Sequence, residues 1–212
     1  MRVRKKPWAE KELAINAYVV KNAKENKGKW RKVFAKENPL YVELGCGKGK
    51  FLIENALKYP DVNFIGIEKQ KTVLATAVRP IEDKIPNLLF VNFDVVALEE
   101  LFEEGEISRI YINFCDPWPR KKWAKRRLTY RGFLEKYKRF FAEKAEIFFK
   151  TDNRPLFEFS LEEFAENGWR TENVTFDLYN SGDTSQNIPT EYEEKFASEG
   201  VPICRAEAYF EK

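Results

Sequence analysis

Five carboxylates stand at or just after the ends of apolar runs. Glu43 closes Leu40-Tyr41-Val42, Glu68 follows Gly66-Ile67, Asp94 follows Phe93, Asp116 follows Cys115 and Asp152 follows Thr151. Between the first two, Gly45, Gly47 and Gly49 alternate with Cys46 and Lys48 ahead of a helix-period segment. A turn of this kind bends sharply, and a ligand approaches it without a Cβ in the way. The helix behind it aims free N–H groups and a positive dipole end at whatever lies over the turn. One acid at a strand end is ordinary turn chemistry. Five in succession at one sheet edge point instead to an adenosine-type ligand over the first three strands and a second ligand over the last two.

The chain contains no histidine. Ser-His-Asp, Cys-His and His-ligated metal chemistries are thereby excluded. Two nucleotide cofactors compete for the glycine turn. A dinucleotide needs G-x-G-x-x-G, whereas the spacing here is Gly45-x-Gly47-x-Gly49 with Glu43 ahead of it. A carboxylate at that point repels a pyrophosphate and welcomes the cationic end of S-adenosylmethionine. Glu68, 25 residues after Glu43, suits the two ribose hydroxyls, and Asp94 an adenine amino group. The reading is an S-adenosylmethionine-dependent methyltransferase with no metal.

Net charge is only +3, but it is unevenly spread. Residues 1–36 carry twelve Lys/Arg against three acids, and residues 120–131 carry seven basic groups and no acid. From Gly132 onward there are ten basic and seventeen acidic groups. Two basic islands on a near-neutral chain, the second interleaved with Trp123 and Tyr130, fit a polyanion held on one face. The plainer alternative is a solvated charged surface. Cys46, Cys115 and Cys204 match no zinc or disulfide spacing, which suits a reducing cytoplasm. The start, Met1 to Pro7, is basic with no apolar stretch behind it, unlike a secretory signal, and no window reaches the ~20 apolar residues of a membrane span.

The elements that must position these groups can be read from periodicity. Leu40–Leu44, Val62–Ile67, Leu88–Phe93, Ile107–Phe114 and Ala145–Phe149 read as buried strands. Helix-period segments fall at 49–59, 70–83, 98–104, 129–143 and 154–166, the last stopped by Asn167-Gly168. Trp169–Tyr179 and Ile203–Phe210 read as two longer strands around a polar loop. The expected architecture is α/β and Rossmann-like. It has a mostly parallel seven-stranded sheet, helices on both faces and an antiparallel edge pair. Residues 1–36 read as a partly ordered basic arm and residues 37–212 as a single domain.

The fourth strand and the segments behind it carry a specific resemblance. Asn113-Phe114-Cys115-Asp116-Pro117-Trp118-Pro119-Arg120 is followed by Lys-Lys-Trp-Ala-Lys-Arg-Arg-Leu-Thr, then Phe149-Lys150-Thr151-Asp152-Asn153, then Thr190-Glu191-Tyr192-Glu193-Glu194-Lys195-Phe196. With Glu-Leu-Gly-Cys-Gly-Lys-Gly, this resembles the bacterial tRNA (guanine-N7-)-methyltransferase family over nearly the whole chain. The resemblance implies a class I methyltransferase fold and methyl transfer to N7 of a variable-loop guanosine in tRNA, position 46. It implies S-adenosylmethionine as donor, S-adenosylhomocysteine as product, and a monomer or homodimer. It puts Glu43, Gly45, Gly47, Glu68, Asp94 and Asp116 on the cofactor and makes Asp116 catalytic. It puts Arg120, Lys122, Lys125, Arg126, Arg127, Asp152, Thr190, Glu191, Tyr192 and Glu193 on the tRNA. Arg120 stands where many members have Lys, and Trp123, Phe148 and Tyr179 stand where members often have His.

The chemistry agrees with these residues. Guanine N7 is an unprotonated lone pair, so its methylation needs in-line placement and stabilisation of developing positive charge, not a base. Asp116 or Asp152 could hold the N1–H and N2–H edge, and Trp118 could stack on a base taken out of its stack or simply anchor its loop. Two rival readings stand beside this one. Asp116-Pro117-Trp118-Pro119 neighbours the Asp/Asn-Pro-Pro-aromatic turn of amino-directed methyltransferases, although Trp118 displaces the second proline. The other rival is a catalytically weak RNA-binding or redesigned domain of the same fold.

Overall fold

The computed structural model describes residues 6–82, 84–142, 144–181 and 184–211. It divides into two compact units, residues 1–107 and 108–212. Seven strands are described: the pairs of the first unit are all parallel, and in the second unit one pair is parallel and two are antiparallel.

In the first unit, β1 (Leu40–Leu44), β2 (Asn63–Ile67) and β3 (Leu88–Val91) pair in parallel in the order β3-β2-β1. All five residues of β2 are buried, as expected of a parallel strand covered on both sides. The basic arm is docked, not loose. It contains α1 (Pro7–Ile15) and the short α2 (Trp30–Val33). Val20 N–H donates to Phe90 O at 2.9 Å and Phe90 N–H to Tyr18 O at 2.7 Å, so the arm covers the open edge of β3. The Glu106 carboxylate accepts the N–H groups of Gly28, Trp30 and Glu103, and the fully buried Trp30 indole donates to Leu101 O at 2.6 Å. Met1 to Lys5 lie outside the described residues.

The remaining helices of this unit are α3 (Lys50–Lys58) and α4 (Lys71–Val78). The helix expected over 70–83 thus ends at Val78. The helix expected over 98–104 is instead a 3-10 segment, Val95–Glu100, kinked at Ala97. Asp94 captures Val96 N–H at 3.1 Å and starts that turn too early and too tightly for an α-helix.

In the second unit, β4 (Arg109–Asn113), β5 (Lys144–Thr151), β6 (Arg170–Thr175) and β7 (Cys204–Glu211) run in the order β4-β5-β7-β6. β4 and β5 are parallel, whereas β7 is antiparallel to both β5 and β6. Helix α5 (Arg131–Phe140) buries Phe133, Leu134, Tyr137 and Phe140. Helix α6 (Arg154–Glu166) buries Leu156, Phe157 and Phe164. They are tied by Thr129–Ser160 at 2.7 Å and by Arg131 on the buried Glu163 at 2.7 Å.

The strand expected over 169–179 stops at Thr175. Asn173, with φ 49°, breaks the register and donates to Glu207, and Asp177 folds back on Asn180. The polar loop before β7 contains a helix that periodicity does not reveal, α7 (Glu191–Ser198).

Candidate active site

One candidate site, within the first unit, is the β1–α3 turn. Gly45, Gly47 and Gly49 have φ of 78°, 57° and 78°, a left-handed run that side chains bearing Cβ resist. Gly45 and Gly47 face open space, because a Cβ at either would meet nothing within 4 Å. Glu68 braces the loop, with one oxygen on Gly47 N–H at 3.3 Å and the other on Gln70 N–H at 2.6 Å. A carboxylate oxygen accepts more than one donor, so the same group can also take a hydroxyl. Glu43 is buried at the strand end. The Cys46 thiol reports the local field: burial, then Glu43, then Glu68 push its pKa well above the usual value.

Open space over left-handed glycines, beside two carboxylates, fits a cationic adenosine cofactor and disfavours a pyrophosphate. Asp94 lies in the same unit. Burial alone would raise its pKa, but the Lys69 ammonium at 2.5 Å and Val96 N–H hold it below the usual carboxylate range. It is therefore an anionic acceptor already shared with an exposed lysine. A cavity of about 550 Å³ lies in the same unit, between the arm and the end of β3. Leu13, Val19, Lys24, Lys71 and Phe93 help to wall it, but the glycine loop does not. Its lining reaches Phe93, the residue before Asp94.

A second candidate site, within the second unit, follows β4 and β5. Phe114 and Trp118 flank Asp116 with φ of 50° and 42°, unusual for bulky residues and a sign that the surroundings enforce the turn. Arg127 supplies part of that force. Its guanidinium donates to Pro117 O at 3.1 Å and Trp118 O at 3.0 Å while lying over the Phe159 ring. Asp116 is exposed at the tip.

The basic run forms a 3-10 segment, Lys121–Arg126, in which Lys122, Lys125 and Arg126 are exposed. Arg120 lies 4.7 Å over Trp123, Arg126 lies 4.8 Å over Trp118, and the two indoles meet edge to face at 5.9 Å. The run is thus a cationic shelf stiffened by its own aromatics, with Arg127 turned inward as a brace.

Asp152 is half-buried between Thr151, whose hydroxyl accepts Asn153 N–H, and Asn153, which caps α6 through Leu156 N–H at 2.9 Å. Thr190 caps α7 by accepting Glu193 N–H, and Glu193 returns to Thr190 N–H. Of the four residues Thr190 to Glu193, Glu191 and Tyr192 face outward and Thr190 and Glu193 are buried. Lys150, Phe114 and Phe196, which stand in the sequence motifs with no role assigned, pack around this corner. The capping box Thr-x-x-Glu was the available signal for α7. Among the described residues, no cluster of three or more His, Cys, Asp or Glu could hold a metal ion.

This fold and glycine turn define a class I methyltransferase. The 16S rRNA methyltransferase KamB is 11% identical with a TM-score of 0.66, over 87% of this chain and 94% of its own. A mutant 16S rRNA (adenine(1408)-N(1))-methyltransferase from Catenulisporales acidiphilia, solved with cosubstrate SAM, has a TM-score of 0.57 at 12% identity, over 89% and 91%. Residues 37–206 match the family model described as "Putative methyltransferase". The tRNA (guanine-N(7)-)-methyltransferase of Halalkalibacterium halodurans is 50% identical, over 99% of this chain and 96% of its own length. The chain belongs to the tRNA (guanine-N(7)-)-methyltransferase family.

Proposed function

We propose that the protein transfers a methyl group from S-adenosylmethionine to N7 of a guanosine in the variable loop of tRNA. The observation that carries this reading is Asp116. Its carboxylate is exposed at the tip of a turn that Arg127 holds rigid, beside a cationic shelf of Arg120, Lys122, Lys125 and Arg126. When bound, the cofactor supplies an electrophilic methyl on a sulfonium. The glycine loop offers room for it, Glu43 and Glu68 favour its positive charge, Glu68 accepts from the ribose and Asp94 from the adenine amino group.

The shelf holds phosphates, which position the RNA without reading its sequence. Asp116 takes the guanine edge by its N–H donors and offsets the positive charge that grows on the ring as N7 is alkylated. No proton leaves N7, which agrees with the absence of histidine.

The test is transfer of labelled methyl from S-adenosylmethionine to an unmodified tRNA transcript. Asp116→Ala should reduce transfer at least about 100-fold, the scale of losing one charge-stabilising group. It should keep low-salt tRNA binding, which phosphate contacts dominate. Unchanged transfer by Asp116→Ala would remove Asp116 from the chemistry.

A further inference from the structure

Helix α5 turns four side chains inward, Phe133, Leu134, Tyr137 and Phe140. Three of them are hydrocarbon, and burying them is favourable. Tyr137 differs. It is fully buried, its ring packs on Phe133 at 5.9 Å, and its hydroxyl has no hydrogen-bond partner among the described residues. A buried hydroxyl left unsatisfied lowers stability, whereas phenylalanine would bury the same ring without that penalty. The proposed reaction gives this group no task.

What acts on the hydroxyl belongs to the Asp116 turn. Burial, and then the Cys115 thiol, push the Tyr137 pKa well above its usual value. Burial and Asp116 do the same to Cys115, so both groups keep their protons at neutral pH. Cys115 stands between Asp116 and Phe114, whose φ is 50°. The turn is pinned on either side of this pair. Phe114 N–H donates to Lys150 O at 2.9 Å, and the Pro117 and Trp118 carbonyls are held by Arg127. Cys115 and Asp116 lie between the pins, which leaves them as the part of the turn able to shift. Backbone angles such as those of Phe114 and Trp118 gather where a segment changes state.

We infer that Tyr137 is a positioning residue for Asp116. When the turn takes the guanine, Cys115 settles against the Tyr137 hydroxyl, which donates to its sulfur and holds Asp116 in place. This rests on the guanine-holding role proposed for Asp116. The hydroxyl thus lowers stability in the free protein and not in the complex. A group satisfied in only one of two states shifts the balance between them by that difference.

The experiment compares the unaltered protein with Tyr137→Phe, which removes one oxygen and keeps the ring. Thermal melts of the free proteins should show Tyr137→Phe to be the more stable, with Tm higher by about 2–10 °C. Filter binding then measures tRNA affinity in the presence of S-adenosylhomocysteine. Tyr137→Phe should bind about 2- to 10-fold more weakly, the range of one hydrogen bond. A transcript with adenosine in place of the variable-loop guanosine should bind both proteins equally, a dependence that a purely structural tyrosine lacks. In a Cys115→Ala background, Tyr137→Phe should leave both affinities unchanged, because the partner is already gone.

A lower Tm for Tyr137→Phe would show a hydroxyl already satisfied in the free protein and overturn the inference. So would equal affinities for the guanosine transcript, or an undiminished effect in the Cys115→Ala background. If the unaltered protein transfers no methyl while the guanosine-dependent difference persists, the proposed reaction fails and the positioning role stands.

Discussion

The glycine loop offers a paired test in which one variant controls the other. Gly47 and Gly200 both have left-handed φ, 57° and 74°, and at neither would a Cβ meet an atom within 4 Å. Replacing either with Ala therefore carries the same backbone penalty, about 1–2 kcal/mol, with no clash. For a chain of this size that is a loss of roughly 2–8 °C in Tm, similar for the two. They differ in what lies above them. Over Gly47 is the space assigned to the cofactor, and an added methyl intruding there costs about 1–3 kcal/mol, a 5- to 150-fold weaker Kd. Over Gly200, at the end of α7, no ligand is expected. Thermal melts and calorimetric titration with S-adenosylhomocysteine measure both quantities. Equal Kd values for Gly47→Ala and Gly200→Ala would refute the seat, even with matched Tm values.

Two further outcomes are expected in the second unit. Replacing exposed Lys122, Lys125 and Arg126 with Ala should reduce the slope of log Kd for tRNA against log salt by about 2–3, whereas Arg127→Ala should leave the slope and lower kcat by loosening the Asp116 turn. Burial, and then the Asp116 carboxylate, push the Cys115 thiol up to about 12. Its neutral form therefore supports the fold fully below the ordinary thiol value of about 8.5, and that support is lost as pH rises toward 12. Iodoacetamide at pH 8 should label native Cys115 on the order of a thousand-fold more slowly than the denatured chain, read by peptide mass spectrometry. Rapid native labelling would show an open thiolate.

Much of this architecture is legible from apolar runs alone. β1 and α6 fall on the residues that periodicity assigns, because continuous burial marks a parallel strand and Asn153 and Asn167 punctuate a helix. What escapes is set by contacts distant in sequence. The arm is ordered by Glu106 and Leu101, more than 70 residues from Trp30. α7 hides because Glu193 is its only buried residue, so no apolar stripe announces it. The candidate site divides the same way. Glu43, Glu68, Asp94 and Asp116 stand at strand ends, where sequence can find them. Glu193 and Arg127 look like exposed charges in sequence, and only the positions of Lys150 and the Asp116 turn show that they point inward.

The central claim is the atom that receives the methyl group. Unmodified tRNA incubated with the protein and S-adenosylmethionine, then digested to nucleosides and resolved by mass spectrometry against standards, answers this directly. 7-Methylguanosine as the product, lost with Asp116→Ala, is the expected result. A methyl group on an exocyclic amino nitrogen, or none on RNA under conditions where the donor binds, would contradict it.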